Sequence, residues 1–593
     1  MINKIKVFFN TIKGFRIHYF VILCLIIISA LLESFSAGLI TPLVQGIING
    51  NFDINNLFYR INLLIFGKNF TVDKIIIEVL LFLLLSNFLN YIRQVYEQYC
   101  EENLKKAWRV KIYTNYINLP YSFFVKKKQG ELINNVINET ERAAVAINLT
   151  IALISSLITS LFFICVLFIT SFKLSIIVFS ICLTIFYIVK KFLFEYSEKV
   201  GKKRIQLSQD LNSQVAETIN GILQVKLFNL QNKSIRDFLK TNRILAKLIT
   251  FYVMFRLIPT YGIKIILCLI GIIILLLNGI FGFLNLKSII PVVSTFFVVS
   301  ARLFDVTSNL LTYQMNVINY FPSLMLTNSL LEILKREQFE ESFGLCKVDF
   351  NKDIIFKNVF FSYDGNTNIF SGLNFVIPAN KKIGIVGYSG SGKTTLVYLL
   401  TKLYLPNSGT IEFDGVSIKD IDTQYLRSNI GVVTQDNFIF NGTIRDNITM
   451  GLENINKEDI IEAAKKANAH NFIMELENGY ETLIGEKGLS LSMGQRQRIA
   501  IARIILRNPK IFIFDEATNA LDKESEELVI DSIDKISKEK TVIIIAHDLD
   551  LIYNCDKICF LKDGKVYEQG THKELLENKR DYWNLYIRTQ KKV

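Results

Sequence analysis

Histidine is scarce in this chain, and so are paired cysteines. Its 593 residues hold 4 histidines and 8 cysteines, with no two cysteines in a C-x-x-C pair. Zinc sites need clustered Cys and His, so a structural zinc site and a disulfide framework are both excluded. Cys24, Cys165, Cys182 and Cys268 lie inside apolar runs, and Cys555 and Cys559 read as small buried residues. No signal-peptide cleavage site precedes the first apolar run, which therefore reads as an uncleaved span. Basic residues outnumber acidic ones, 67 to 54, for a net charge of +13. They do not gather on one soluble domain but punctuate the apolar half, as membrane-protein loops do, and this excludes a nucleic-acid partner.

What the chain has in abundance is apolar length. Hydrophobic residues make up 50% of it. Six stretches, near 17–47, 74–97, 146–170, 173–194, 249–278 and 283–304, are each long enough to cross a bilayer, for which about 20 residues suffice. Two long polar segments, after the second and the fourth stretch, carry most of the basic charge of the apolar half, including Lys105, Arg109, Lys126, Arg142, Lys199, Lys203 and Arg236. The positive-inside rule makes both segments and both termini cytoplasmic. An even number of spans agrees.

Past about residue 325 the pattern changes to short β-rich runs separated by Gly, Asp and Asn turns, the mark of an α/β domain with a largely parallel sheet. The segment 335–352 is charged and lacks periodicity. These boundaries predict a transmembrane domain over 1–325, a linker over 326–352 and a nucleotide-binding domain over 353–593.

The nucleotide assignment comes from "GYSGSGKT", Gly387 to Thr394, set between the strand-like KIGIV and the helix-like TTLVYLL. That context makes the motif a phosphate loop. The backbone N–H groups of Ser389, Gly390, Ser391, Gly392, Lys393, Thr394 and Thr395 would cradle a β-phosphate at a helix N-terminus. The Lys393 ammonium would reach the β/γ oxygens, and the Thr394 hydroxyl would hold Mg²⁺. A second apolar run, IFIF, ends in Asp515 and Glu516, which places two carboxylates at the sheet edge where α/β ligands bind. Asp515 can hold Mg²⁺, leaving Glu516 to polarise an attacking water.

With these motifs in place, the chain resembles an ABC exporter half-transporter over nearly its whole length. The resemblance implies a six-helix α-helical transmembrane domain of ABC exporter type followed by an α/β P-loop ATP-binding cassette. Tyr363 of "FSYDGN" resembles the aromatic that stacks on adenine. Gln435 of "VVTQD" resembles the glutamine that touches Mg²⁺, and His547 of "IIIAHD" the histidine that binds the γ-phosphate. "LSMGQ" resembles the signature motif, whose Ser492, Gly494 and Gln495 would meet ATP held by a second copy. The implied cofactors are ATP and Mg²⁺, and the implied partner is a second copy of the chain in a twelve-span homodimer. Two positions depart from the family: Met493 stands where the signature has glycine, tolerable if the position points outward, and Asn519 stands where serine is usual. "NLPYSFFVKKKQGELINNVINETERA" and "LNSQVAETINGILQVKLFN" resemble the family's two cytoplasmic coupling loops.

For the transported substrate the residues leave alternatives open. Tyr252, Arg256, Thr260 and Lys264 recur every fourth residue along the fifth span, with Pro259 between them, and Glu33 lies midway along the first. Ionisable groups at such depth face a cavity or pair with one another. One reading is a Glu33–Lys264 ion pair; the other is a cationic wall for an anionic head group. "LLESFSAGLITPL" and the following "FYRINLLIF", which could form an amphipathic external helix, resemble bacterial lipid-linked oligosaccharide flippases. A drug, lipid or peptide exporter fits the same architecture, while an importer or an ATP-gated channel fits it less well. Fewer than 20 residues precede the first span, so no N-terminal cysteine-protease domain is expected. The abundance of Ile, Asn and Lys points to an AT-rich bacterium, and hence to the inner membrane with lipids around the spans.

Overall fold

The structure is a computed structural model describing residues 13–49, 57–66, 71–170, 172–281, 286–337, 344–435, 437–485, 491–517, 523–537, 540–546, 549 and 551–590. Over 13, 49, 65–66, 173–174, 177–179, 181–195, 259–260, 262–281, 286–293, 333–337 and 589–590 only the backbone is described. The chain forms two compact units, Met1–Leu119 with Phe123–Glu337, and Pro120–Ser122 with Gln338–Val593.

The first unit is helical: α1 Arg16–Gly38, α2 Ile40–Asn49, α3 Leu57–Phe66, α4 Val72–Ile117, α5 Gln129–Asn134, α6 Thr140–Thr170, α7 Phe172–Asn220, α8 Ile222–Leu227, α9 Gln231–Phe281 and α10 Leu286–Glu337. Among the described residues, Arg16–Ile48, Val72–Ile117 and Gln129–Thr170 are long and apolar enough to cross a membrane. The expected spans at 173–194, 249–278 and 283–304 fall on α7, α9 and α10, largely where only the backbone is described. Helix α10 continues to Glu337, so the first part of the segment expected as a linker over 326–352 is helical.

The first span is interrupted at Leu39, between α1 and α2. Pro42 explains the break, because a proline ring clashes with the carbonyl four residues earlier, here that of Gly38. Gly38 also receives Phe58 of α3: a Cβ there would lie 2.4 Å from the ring. The stretch "FYRINLLIF" is accordingly helical and packed on the first span, with Phe58 almost fully buried.

Elsewhere the helices are joined by polar groups and missing side chains. Ser197, Gly201 and Arg204 follow one face of α7. Ser197 Oγ donates to the Met315 carbonyl at 2.7 Å. Arg204 Nη1 donates to Asn319 Oδ1 at 2.7 Å, and the guanidinium lies 4.4 Å above the Tyr320 ring. Between them, a Cβ on Gly201 would stand 2.2 Å from the Asn319 carbonyl oxygen, so the α7 and α10 backbones nearly touch there. A second network surrounds one turn of π-helix, Asn135–Glu139, between α5 and α6. Fully buried Glu139 accepts from Asn134 Nδ2 at 3.1 Å and from Arg142 Nη1 at 2.7 Å, while Asn212 of α7 donates to Asn134 Oδ1 at 2.9 Å. A buried carboxylate is tolerated when paired and hydrogen-bonded in this way.

The second unit holds two main sheets. Strands β1 Ile354–Phe361, β2 Phe370–Ile377, β4 Ser408–Phe413 and β5 Val416–Ser417 form an antiparallel sheet in the order β2-β1-β4-β5. The larger sheet contains β3 Lys382–Gly387, β6 Ile430–Val433, β7 Ile511–Asp515, β8 Thr541–Ile545, β9 Lys557–Lys562 and β10 Lys565–Gly570, ordered β10-β9-β3-β8-β7-β6. All its pairs are parallel except β9 with β10. Strands β3, β7 and β8 are buried along their entire length, which is why "KIGIVG", "IFIFD" and "TVIII" read as continuous rather than alternating apolar runs.

The contact at Gly201 is directly testable. Gly201→Val forces α7 and α10 apart, and overpacking of this kind costs about 1–3 kcal/mol. The apparent Tm of the detergent-solubilised protein should fall; an unchanged Tm would show that the helices do not approach so closely.

Candidate nucleotide-binding site

Parallel pairing collects the chemistry at one edge. In the β8 register, Ile545 lies opposite Ile385 on one side and Asp515 on the other. On the far side of β7, Val433 of β6 pairs with Phe514. The ends of β3, β7 and β6, with the residues that follow them, therefore emerge together. Gln435, exposed, comes two residues past β6.

Strand β3 passes through Gly387 into the phosphate loop and then into helix α11, Lys393–Leu400. A Cβ on Gly387 would sit 2.4 Å from the Leu561 carbonyl oxygen. Gly390 and Gly392 have φ of +81° and +97°, the left-handed region in which only glycine is unstrained. Inside the loop the Ser391 hydroxyl is buried without a hydrogen-bond partner among the described residues. A buried polar atom left unsatisfied costs stability unless a ligand completes it, so this orphan suits a phosphate oxygen.

Lys393 is buried and folds back over the loop, donating to the carbonyls of Gly387 at 3.0 Å and Tyr388 at 3.2 Å. An ammonium has three protons, so one remains for a ligand. Burial lowers the Lys393 pKa, and the carboxylates of Glu516 and Asp515 oppose that shift. Asp515 is pushed up to about 6, first by burial and then by the Glu516 charge, against the pull of Lys393 and of a hydrogen bond from Thr394. The structure thus joins Thr394 to Asp515, two of the three side chains expected at Mg²⁺, the third being Gln435. Two oxygen ligands beside a phosphate cradle, with water for the remaining positions, match what Mg²⁺ requires. Glu516 adopts φ of +52°, and its N–H donates to the Ile545 carbonyl at 2.8 Å, anchoring the acid pair to β8. A non-glycine residue in this region is uncommon, and such strain clusters at functional sites.

Helix α12, Met493–Arg507, opens on a reciprocal cap. Ser492 Oγ accepts from the Gln495 N–H at 3.1 Å, and Gln495 Oε1 accepts from the Ser492 N–H at 2.9 Å. The Ser492 hydroxyl uses a lone pair in this cap, so its own proton stays available to an anion. Ser492 is exposed and Gly494 buried; Met493 is half-buried rather than turned fully outward. The hydrogen bonds of Ser492 and Gln495 remain within this helix start. His547 and Asn519 lie outside the described residues.

Tyr363 follows β1 and is 41% exposed. Its hydroxyl shares a 3.0 Å hydrogen bond with the Thr395 hydroxyl, which ties the aromatic to the phosphate loop. Its ring meets Phe361 and Tyr404 edge-on, with centroids 4.9 and 5.1 Å away. Tyr404 was not among the residues expected from sequence; a tyrosine in the stretch after a helix belongs to no motif considered there.

In the helical unit, Tyr252 Oη donates to Asn316 Oδ1 at 2.8 Å, and Arg256 Nη1 reaches the same oxygen at 3.4 Å. Two rungs of the expected stripe thus converge on α10. The side chains of Thr260 and Lys264 lie outside the described residues. Glu33 is half-buried, and among the described residues Arg302 of α10 is a cation whose charge reaches it. Arg302 was missed in the sequence, although it is a cation near the end of the sixth apolar stretch.

Comparison with known proteins follows the same division. Residues 19–303 match the family described as ABC transporter transmembrane region, and residues 370–519 match ABC transporter. The uncharacterized ABC transporter ATP-binding protein YfiC of Bacillus subtilis is 31% identical over 547 residues, covering 90% of this chain and 90% of that protein. The putative multidrug export ATP-binding/permease protein YgaD of the same organism is 31% identical over 85% of this chain and 87% of that protein. ABC transporter B family member 1 of Dictyostelium discoideum is 46% identical over 240 residues, which is 40% of this chain and only 26% of that longer protein. In three dimensions, a bacterial Atm1-family ABC exporter solved with ATP bound shares the fold, with a TM-score of 0.76 at 23% identity, over 97% of this chain and 98% of that one.

The Asp515 carboxyl gives a signed prediction. Its folded pKa of about 6 lies above its ordinary 3.8, so in that window the folded state keeps a proton that the unfolded chain has released. The contribution of this group to stability therefore falls as pH rises from about 4 through about 6. Across that range melting should show the stability of the nucleotide-free wild type falling relative to Asp515→Asn. An identical slope in both proteins would place the ionisation elsewhere.

Proposed function

Because this chain belongs to the ABC transporter family, we propose that two copies bind ATP between their cassettes, hydrolyse it, and use the energy to export or flip a substrate across the membrane. The observation carrying the reading is the convergence of Lys393, Thr394, Asp515 and Glu516 at one sheet edge, in a chain that also holds membrane-length helices. Lys393 binds the β- and γ-phosphates, and the loop amides orient them. Mg²⁺, held by Thr394 and Asp515 with Gln435 nearby, would neutralise charge on the phosphate oxygens. Glu516 aligns water for in-line attack, and His547 contacts the γ-phosphate. Ser492, Gly494 and Gln495 of the second copy close the site from the opposite side. Catalysis of this kind is positioning plus electrostatics.

The substrate we infer is an anionic lipid or a lipid-linked oligosaccharide. Support comes from Arg256, a half-buried cation at membrane depth whose Nε has no hydrogen-bond partner among the described residues, and from Arg302, whose charge reaches Glu33. A multidrug substrate is the second reading, favoured by the likeness to YgaD of Bacillus subtilis, a putative multidrug export protein. The protein sits as a multi-pass chain in a bacterial inner membrane, with its cassette and both termini in the cytoplasm. The division into a transmembrane domain over 1–325, a linker and a nucleotide-binding domain over 353–593 belongs to the same proposal.

Two outcomes test this function. Glu516→Gln should still bind Mg·ATP while ATPase turnover falls by about a hundredfold or more; near-normal turnover would overturn the assignment of Glu516. In reconstituted protein, a panel of anionic lipids, lipid-linked sugars, peptides and dyes should stimulate ATPase most strongly with the anionic lipids. Arg256→Ala should keep basal turnover and lose that stimulation. Equal stimulation by dyes in both proteins would favour the multidrug reading instead.

A further inference from the structure

We propose that Tyr404 is a positioning residue for the nucleotide base: it holds the Tyr363 ring from the tail of the phosphate-loop helix and so sets the spacing between base and phosphates. The proposal rests on the reading of this edge as an ATP site with Tyr363 under the adenine.

The argument begins with the frame around Tyr363. Phe361 meets its ring at 85° and Tyr404 at 84°, so both neighbours stand nearly perpendicular to it. Edge-to-face pairs direct the positive ring edge onto the negative face, or the reverse, and this fixes orientation as well as distance. Tyr404 and Phe361 also meet edge-on, at 5.6 Å and 71°, which closes a triangle of three rings. Phe361 is almost fully buried in the cassette core, whereas Tyr363 remains 41% exposed. The triangle therefore has a fixed base and one ring presented outward. The hydroxyl bond to Thr395 removes the remaining rotational freedom of that ring.

Tyr404 is itself fixed. The N–H groups of Leu403 and Tyr404 both donate to the Tyr398 carbonyl, at 2.9 and 3.2 Å, which ties Tyr404 to the last turns of α11. Arg427 pins the same tail by donating to the Thr401 carbonyl from Nε at 3.1 Å and to the Lys402 carbonyl from Nη2 at 2.9 Å. One eight-residue helix, α11, thus carries the phosphate lysine at its start and the support of the base-stacking ring just past its end. The distance between triphosphate and adenine is built into that helix rather than into the loop bearing Tyr363.

The test compares ATP with inorganic tripolyphosphate, which has the phosphates and no base, on the full-length protein in nanodiscs. Removal of the supporting edges in Tyr404→Ala should weaken ATP binding about three- to tenfold, the range such ring pairs are worth. Tripolyphosphate affinity should be unchanged, and Tyr404→Phe should restore ATP binding. In steady-state ATPase the Ala variant should raise KM by the same factor with little change in kcat. Equal weakening of both ligands would mean that Tyr404 merely supports the cassette fold, and unaltered ATP affinity would mean that it supports nothing; either result overturns the proposal. A wild type that binds tripolyphosphate but gains nothing from the adenine would instead refute Tyr363 as the stacking residue. A wild type that binds neither ligand would refute the ATP site and, with it, the role of Tyr404.

Discussion

The parallel pairing of Thr541–Ile545 between Lys382–Gly387 and Ile511–Asp515 is the constraint on which the cassette depends. Parallel strands present their C-terminal ends at a single edge, so the loop after one strand, the acid pair ending another and the glutamine after a third become neighbours without being close in sequence. The complete burial of these strands holds the edge in place: a slip by one residue would shift every ladder bond and misplace both Lys393 and Asp515. The electrostatics follow from this geometry. Lys393 and Asp515 each feel the other's charge and that of Glu516, and burial magnifies each interaction.

The helical unit follows a different logic. Where these helices extend past the apolar spans, close backbone approach and buried hydrogen bonds fix their packing more narrowly than apolar contact alone would. Gly201 against the Asn319 backbone and Gly130 against the backbone at Ser213 provide the approach. Ser197, Arg204 and the amides around Glu139 provide the bonds. The π-helical turn at Asn135–Glu139 fits this pattern, since an extra residue in the turn brings Asn134 and Glu139 onto a common face.

Legibility in the sequence differed between the two units. The phosphate loop and the acid pair were legible as local structure because each is a short contiguous string at a strand end, whereas the role of Ser492 was implied by resemblance alone. The spans were readable from apolar length alone. The break at Leu39 was not, although Pro42 lies in plain view, because an apolar count takes no account of a proline's clash with a carbonyl four residues back. Arg302 was overlooked beside Glu33, and Tyr404 beside Tyr363, for a shared reason. Each acts through a residue far away in the chain and carries no motif of its own.

Composition and local spacing alone therefore marked out an apolar helical part, an α/β part and the phosphate loop between a strand and a helix. These properties depend on backbone torsions and burial, which nearby residues control. Only the tertiary structure decided which side chains share an environment: Thr394 with Asp515, Tyr363 with both Thr395 and Tyr404, and Tyr252 and Arg256 on one Asn316 oxygen. Pairings across tens to hundreds of residues arise from strand register and helix packing, and those are set by the sum of many weak contacts that no short stretch of sequence contains.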